Sequence, residues 1–300
     1  MQVVAGRYEL HRRIGAGGMG AVWLAYDRKV DDWVAVKLLA QRESARLLRF
    51  VREQSLRIEH PHVVAPRGWA ADDDQVALSM DLVRGGSLAT LVGDHGPLPE
   101  PYVAVIVDQL LDALAAVHSH GVIHRDVTPH NVLLEPTGER RPFARLSDFG
   151  VAALLDGPRL TEHGAAVGTV GYAAPEQLAR ADPDPRSDLY GLGILGRHLL
   201  TALPPDHLDG ASDGPLWDVL CALSDNDIHR RPVSAVAARA FVAPHLPSGM
   251  PWAHDPDAPC VFEHLTVPRE LRPQTRVALP RPARPAPVSR KPAERDTPES

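Results

Sequence analysis

The segment of residues 122–134 constrains the fold of this 300-residue chain more than any other segment does. It is a polar loop between two short apolar runs, and Pro129 keeps its backbone out of regular helix. Apolar runs on both sides anchor such a loop to a core, so Asp126 and Asn131 within it point in fixed directions. A carboxylate that orients a hydroxyl, beside an amide oxygen that helps to hold Mg²⁺, suits phosphoryl transfer. The competing interpretation is a plain polar turn between a helix and a strand.

A glycine-rich turn, Gly15-Ala-Gly-Gly-Met-Gly20, lies near the N-terminus. The pattern Gly-x-Gly-x-x-Gly also occurs in dinucleotide-binding folds, where a helix must follow so that its N-terminus meets the pyrophosphate. Here aromatic and branched residues follow instead, and residues 8–14 and 21–26 both have the alternation of strands. The pattern therefore predicts two strands joined by a flap whose backbone N–H groups can cover phosphates.

A third predicted strand, residues 33–39, is apolar except for one charge, Lys37. A buried ammonium group needs a partner, because burying an unpaired charge is costly. Alternatively, the side chain could extend from an edge strand to solvent. The glycine flap one hairpin earlier favours a phosphate partner.

The remaining pattern predicts a small β-rich lobe followed by a larger helical lobe. In the small lobe we expect a helix at residues 43–58 and strands at 63–69 and 75–82. A flexible joint at residues 84–87 leads to a short helix that Ser87 caps. In the large lobe we expect helices at 101–120, 187–202, 216–223 and 233–242, and a strand at 143–146.

Bulk properties exclude several classes of protein. The net charge of -6 argues against a dedicated nucleic-acid binder, and Cys221 and Cys260 are too few and too far apart for a disulfide framework or a zinc site. The N-terminus has no charged and apolar signal region. No uncharged apolar run reaches the roughly 18 residues of a membrane span. We expect a soluble, cytoplasmic chain without a membrane span.

The composition changes from residue 247, where prolines become frequent and aromatic residues rare. Residues 266–300 are also mildly basic. Such a segment is expected to be disordered or polyproline-like. The alternative is that this tail docks onto a partner.

Taken in order, these signals resemble the eukaryotic-like (Hanks-type) Ser/Thr protein kinases of bacteria over about residues 7–244. The resemblance implies an α+β, bilobal protein-kinase fold: a small antiparallel β-sheet N-lobe with one helix, a larger, mostly helical C-lobe and a disordered Pro-rich tail. The implied bounds are residues 1–83, 84–246 and 247–300. The motifs that carry it are the Gly15–Gly20 turn, Val-Ala-Val-Lys37, His-Arg-Asp126 with Asn131, Asp148-Phe-Gly150, Ala-Pro-Glu176, Asp188 and Arg231.

The resemblance also assigns roles to residues that would act on the phosphates. Gly15, Gly17 and Gly20 would cover the phosphates of ATP, and Lys37 would hold the α- and β-phosphates. Asp148 would bind Mg²⁺ or Mn²⁺, and Asn131 would bind a second ion. Asp126 would accept a hydrogen bond from the substrate hydroxyl.

Further roles implied by the resemblance concern the nucleoside and the support of the site. Met80 would close the back of the adenine pocket, and the backbone at Asp81 and Val83 would pair with the adenine edge. Glu53 would pair with Lys37, although a slip of the helix would put Val51 there instead. The adenine itself would lie between Ile14, Val22, Ala35 and Leu133.

The implied function is ATP-dependent transfer of the γ-phosphate to Ser/Thr hydroxyls of proteins, including autophosphorylation. One departure matters, since Thr128 stands where these kinases usually have a Lys that touches the γ-phosphate. It motivates the alternative of a pseudokinase, a nucleotide-binding or docking module with little transfer activity. A small-molecule phosphotransferase is a third alternative, which the Ala-Pro-Glu176 segment disfavours.

Overall fold

The computed structural model describes residues 2–17, 20–40, 58–72, 75–148, 171–253 and 257–268. The predicted helix at 43–58 falls almost wholly outside these ranges. Within them the chain forms an N-terminal sheet and a helical C-terminal region, as predicted.

The N-lobe is a six-stranded sheet in which every neighbouring pair is antiparallel. The strand order is β1-β2-β3-β4-β6-β5. The strands are β1 (Gln2–Val4), β2 (Tyr8–Gly17), β3 (Gly20–Asp27), β4 (Asp32–Ala40), β5 (Pro66–Asp72) and β6 (Gln75–Met80).

The two faces of strand β4 serve different purposes, because successive side chains of a strand point to opposite faces. Val34 and Val36 are buried on one face, in a cluster with Tyr8. Ala35 lies on the other face, in a cluster with Met80. Lys37 has the same parity as Ala35, so the period of the strand aims its ammonium group away from the apolar core.

The strand predicted at residues 63–69 starts later than expected, at Pro66. Val63 instead forms an isolated parallel bridge with Leu146. The backbone N–H of Val64 donates to Leu146 O at 2.8 Å, and that of Leu146 donates to His62 O at 2.9 Å. This segment is thus paired with the C-lobe, so it joins the two lobes before the sheet resumes.

The C-lobe is built around one long helix, α2 (Glu100–Ser119), whose buried residues run along nearly its whole length. It is preceded by α1 (Leu88–His95). There Ser87 accepts a hydrogen bond from the Thr90 N–H at 3.2 Å, which confirms the predicted cap. The other elements are β7 (Val132–Leu134), β8 (Ala144–Leu146), α3 (Pro175–Leu178), α4 (Arg186–Thr201), α5 (Pro215–Leu223), α6 (Ala235–Val242) and 3₁₀ turns at Pro205–His207 and Ala243–His245.

Helix α2 is also long and apolar enough to cross a membrane, judged by length and composition alone. Its position accounts for that composition, since 61% of its most apolar window is buried inside the lobe. Core helices of folded domains commonly have this character.

The structure differs from the predicted tail at residues 247–253 and 257–268, which pack on the C-lobe. Trp252 is 2% exposed; its ring meets Tyr102 edge-on with centroids 5.1 Å apart, and its indole N–H donates to Glu139 O. Val261 is also 2% exposed. One tryptophan and one valine bury enough apolar area to hold a segment whose average composition is that of a disordered chain. Residues 269–300 lie outside the described ranges.

Candidate functional site

A cleft of about 810 Å³ is lined by residues of both the sheet and the helical region. It brings together most of the residues that the sequence singled out. Gly17 pairs with Gly20 at the end of β2 but is not among the cleft residues that the structure describes. Glu53 and its alternative Val51 lie outside the described residues. The predicted residues that line the cleft are Ile14, Gly15, Gly20, Val22, Ala35, Lys37, Met80, Asp81, Val83, Asp126, Asn131, Leu133 and Asp148.

One part of the cleft is an apolar slot. Ala35, Met80 and Val83 are buried there together with Val64. Ala35 and Met80 are direct partners in the β4–β6 register. Partly buried Ile14, Val22, Leu82 and Leu133 pack against them. Apolar walls with a few polar groups at one edge suit a flat, weakly polar ring.

The polar edge of this slot is the connection after β6, where Asp81 is held in place by two arginines. Arg145 Nη2 donates to Asp81 Oδ2 at 2.7 Å and also to Val63 O at 3.0 Å. Arg67 forms a second ion pair with the same carboxylate. Because the side chain is fixed by these bonds, the backbone of residues 81–83 is a rigid edge for hydrogen bonding to a ligand.

The packing of strand β3 against strand β4 requires glycine at position 20. Its φ is +130°, and a Cβ built on it would lie 2.2 Å from Leu38 O of the neighbouring strand. Gly15 differs, since a Cβ there would meet only Val22, at 3.5 Å, an ordinary contact. A side chain at position 20 would therefore collide with the backbone of β4, whereas one at position 15 would not.

Lys37 and Asp148 form the charged centre of the cleft. Lys37 Nζ lies 2.9 Å from Asp148 Oδ1, and the lysine is only 5% exposed. The partner that a buried ammonium needs is thus a carboxylate in this structure. Asp148 has φ of +61°, a left-handed conformation that is uncommon outside glycine. This conformation turns its carboxylate towards Lys37 directly after strand β8.

Asp126 and Asn131 are held together by their own hydrogen bonds. The Asn131 amide nitrogen donates to Asp126 Oδ2 at 2.7 Å and to Asp126 O at 2.8 Å. Ser147 fixes the other end of the loop, because its N–H and its hydroxyl both donate to Asn131 O. The polar loop is therefore ordered by side chains as well as by its apolar flanks, and its carboxylate lines the cleft.

Asp188, at the start of helix α4, stabilises the polar loop through hydrogen bonds to its carboxylate. The carboxylate is 1% exposed and accepts hydrogen bonds from the backbone N–H of His124 at 2.8 Å and of Arg125 at 2.7 Å. Its other contact is His118 Nε2 at 2.8 Å. Arg125 has φ of +66°, so Asp188 stabilises a backbone conformation that costs energy on its own.

A second ion pair braces the C-lobe away from the cleft. Arg231 Nη1 and Nη2 donate to the two oxygens of Glu176 at 2.6 and 2.8 Å. Arg231 is 3% exposed and lies over the ring of Tyr190. This bidentate pair connects the Ala-Pro-Glu segment to the chain ahead of helix α6.

The donors in the cleft fit a hard cation that brings its own ligands. Asn131 and Asp148 supply oxygen atoms, the type that Mg²⁺ prefers. In the described ranges no cluster of three or more His, Cys, Asp or Glu side chains could bind a metal by itself. Mg²⁺ is usually held by one or two carboxylates together with substrate phosphates and water, so the residues present are sufficient.

Several cleft residues were not predicted to lie there. Ser87 was predicted only to cap helix α1, and Thr90, His130 and Ser147 carried no signal in the sequence. His264 and Leu265 come from the C-terminal segment that was expected to be disordered. Thr128 is 1% exposed and does not line the cleft. Among the cleft residues that the structure describes, Lys37 is the only Lys or Arg.

Comparison with protein families identifies a match to the protein kinase domain over residues 8–214. Among curated proteins, the chain is 38% identical over 222 residues to the serine/threonine-protein kinase PkaA of Streptomyces coelicolor, covering 68% of this chain and 40% of the relative. It is 41% identical over 212 residues to PkaB of the same organism, covering 67% and 50%. With PknH of Mycobacterium tuberculosis the identity is 39% over 212 residues, covering 69% and 33%. The chain spans half the length of these relatives or less.

Among solved structures, one with a similar fold is the crystal structure of Rad53 1–466 in complex with AMP-PNP. The TM-score is 0.64 at 24% sequence identity, and the alignment covers 79% of this chain and 65% of the other. This comparison shows a likeness of fold.

Proposed function

Because the chain belongs to the protein kinase domain family, we propose that it transfers the γ-phosphoryl group of ATP to Ser and Thr hydroxyls of proteins, including its own. The observation that carries this is the convergence of two polar pairs on one cleft. Asp126 with Asn131 comes from the loop of the C-lobe, and Lys37 with Asp148 links the two lobes. All four side chains lie beside an apolar slot of the right character for a nucleobase.

The site residues divide the work as follows. The slot between Ile14, Val22, Ala35 and Leu133 holds the adenine, and the backbone of residues 81–83 pairs with its edge. Lys37 neutralises phosphate charge, while Asn131 and Asp148 are the residues that would hold Mg²⁺ or Mn²⁺, which supplies charge neutralisation at the phosphates. Asp126 accepts the hydrogen bond of the attacking hydroxyl and orients its oxygen.

A hydroxyl of Ser or Thr, rather than Tyr, is the proposed acceptor. The relatives at 38–41% identity are named as serine/threonine kinases. Pro129 within the polar loop also favours a Ser or Thr acceptor over Tyr. Glu176, the last residue of the Ala-Pro-Glu segment, is fixed by its ion pair with Arg231. This segment favours protein rather than small-molecule substrates.

A pseudokinase is the second candidate, and Thr128 is the observation that favours it. A buried threonine supplies no positive charge at the γ-phosphate. Loss of one such group costs roughly 2–4 kcal/mol of transition-state stabilisation. Since Asp126, Asn131, Lys37 and Asp148 are all in place, slower transfer is favoured over none.

The cytoplasm is the proposed location of the domain, because ATP is its substrate and both Cys221 and Cys260 are free thiols. The net charge of -6 supports protein rather than nucleic-acid partners. Residues beyond 268 are rich in proline, which suits docking onto a partner protein.

The test is transfer of label from γ-labelled ATP to the chain itself and to Ser, Thr and Tyr peptides, with Mg²⁺ or Mn²⁺. Wild type should label Ser or Thr peptides, and Asp126→Asn should reduce transfer at least about 100-fold while still binding ATP. Asp94→Asn, on the exposed end of α1, is the matched control. Binding of ATP without transfer by wild type would establish the pseudokinase instead.

A further inference from the structure

The C-terminal strap, residues 257–268, runs along the C-lobe to the connection between the lobes. Val261 pairs with Gly138 in an antiparallel bridge, with N–H···O distances of 3.0 and 3.1 Å. Three residues further on, the His264 N–H donates to Arg84 O at 2.8 Å. The Arg84 guanidinium in turn donates to Glu263 Oε1, also at 2.8 Å. Backbone and side-chain bonds thus fix the strap beside residue 84.

Two glycines allow the strap to approach this closely. A Cβ on Gly85 would lie 2.4 Å from Leu134 O of strand β7 and 2.6 Å from Val261 Cγ1, so glycine at this position admits both β7 and the strap. A Cβ on Gly86 would lie 3.2 Å from His264 Cδ2, and Gly86 has φ of +80°. The Gly85-Gly86 pair, which the sequence suggested to be a flexible joint, is therefore a docking surface for Val261 and for the His264 ring.

The strap reaches the cleft through His264 and Leu265, which line it together with Gly86, Ser87 and Thr90. His264 is exposed and Leu265 is half-buried, whereas Val261 is buried in the core of the lobe. Val261 and Trp252 account for the anchoring of the segment. Anchoring does not explain why an imidazole and an isobutyl group face the cleft.

The position of His264 identifies the part of a ligand that it would meet. Its ring lies against Gly86, three residues beyond Val83 at the polar edge of the apolar slot. Lys37, the proposed phosphate residue, lies in the middle of β4, and Asp148, a proposed metal residue, lies two residues after β8. The ring therefore lies on the side of the cleft where base and sugar would sit.

We propose that the C-terminal strap completes the nucleotide site, with His264 and Leu265 as further nucleotide-binding residues that contact the nucleoside part of the ligand. The inference rests on the proposed ATP-dependent function. It makes the affinity for nucleotide depend on a segment outside residues 8–214, the range that matches the kinase domain. Flat and apolar side chains are suited to packing on a base or a sugar face.

The experiment measures the dissociation constants of ATP, ADP and adenosine by calorimetry on the full chain, with no peptide substrate present. His264→Ala and Leu265→Ala should each raise the dissociation constant about three- to tenfold, the size of one ring or side-chain contact. The increase should be the same for all three ligands, since they share the nucleoside. Phe262→Ala is the matched control, because Phe262 lies on the same strap, is 64% exposed and does not line the cleft. Its dissociation constants should equal those of wild type.

The outcomes separate the two proposals. If wild type binds ATP and both variants bind all three ligands as tightly as wild type does, the strap inference is overturned and the kinase proposal stands. A loss seen with ATP but not with adenosine also overturns it, because the contact would then be to phosphate. If wild type binds neither ATP nor adenosine, the proposed function itself falls, and the strap inference with it. Melting temperatures of both variants establish that they are folded.

Discussion

At the scale of single residues, the charged groups of the cleft are placed by local backbone geometry. Strand period turns Lys37 to the cleft, and a left-handed φ at Asp148 brings its carboxylate within 2.9 Å. Asn131 fixes the Asp126 carboxylate with an amide hydrogen bond of 2.7 Å. Each group is therefore held by a neighbour before any ligand arrives, which reduces the reorganisation needed during transfer.

Lys37→Met should reduce phosphoryl transfer by about 100-fold or more, since it removes the one permanent cation among the described cleft residues. The fold should persist, because Met fills a similar volume and the remaining Asp148 carboxylate is 35% exposed to water. Initial rates of peptide phosphorylation and a thermal melt measure the two effects. Lys29→Met, at an exposed turn, is the control. Undiminished autophosphorylation in a folded Lys37→Met protein would refute the assignment.

At the scale of elements, carboxylates with little exposure join separate segments of the chain through hydrogen bonds and ion pairs. Asp188 of α4 holds the polar loop, and Glu176 of α3 meets Arg231 ahead of α6. In the N-lobe, Asp27 at the end of β3 is 1% exposed and receives two hydrogen bonds from Arg7, at 2.8 and 2.6 Å. Such pairs specify which elements meet, because leaving one partner buried alone is costly.

The Arg7–Asp27 pair should make the stability of the N-lobe depend on pH. Burial alone would raise the pKa of Asp27, but the hydrogen bonds from Arg7 and from the Lys29 N–H outweigh it and lower the pKa. A carboxyl with a lowered folded pKa contributes stability above its unfolded value, about 3.9, and loses it as pH falls through the folded pKa. Urea unfolding of wild type and Asp27→Asn between pH 3 and pH 7 measures this contribution.

The difference in free energy of unfolding between wild type and Asp27→Asn should be largest near pH 7 and should shrink towards pH 3. Other carboxyl groups titrate in the same range, but they do so in both proteins and cancel. A constant difference for Asp27→Asn across this range would contradict the ion-pair interpretation.

At the scale of the whole molecule, the structure extends the domain beyond its helices. Residues 247–253 and 257–268 cover the C-lobe and reach the cleft, so they belong with the kinase domain physically. Truncation before residue 247 would expose part of the core rather than remove an inert tail. The segment at residues 257–268, which the sequence predicted to be disordered, thus adds His264 and Leu265 to the lining of the cleft.

Trp252→Ala should destabilise the protein by about 3 kcal/mol or more, because it opens a cavity beside Tyr102 and removes the hydrogen bond to Glu139 O. In a domain of this size that lowers the melting temperature by several degrees. Phe262→Ala, at a 64% exposed position in the strap, should change stability by less than about 0.5 kcal/mol. Equal melting temperatures for wild type and Trp252→Ala would show that residues 247–253 do not pack on the C-lobe.

Much of the fold follows from local pattern. The short apolar run at residues 33–39 and the amphipathic pattern at 101–120 predicted strand β4 and helix α2, because run length and periodicity distinguish a buried strand from a helix with one buried stripe. Spacing within the polar loop likewise predicted that Asp126 and Asn131 act together, since five residues of constrained backbone keep them close. The cleft residues predicted through the resemblance also came from elements with such local signals.

Contacts between distant segments could not be obtained in this way. No sequence pattern near Lys37 indicates that Asp148, 111 residues later, is its partner. Strand β5 starts later than predicted because residues 62–64 pair with Leu146. Residues 247–253 and 257–268 show the limit most clearly. Their average composition is that of a disordered chain, yet Trp252 and Val261 are buried against the C-lobe. Composition reports the mean tendency of a segment, whereas docking depends on a few side chains meeting a surface that exists only after folding.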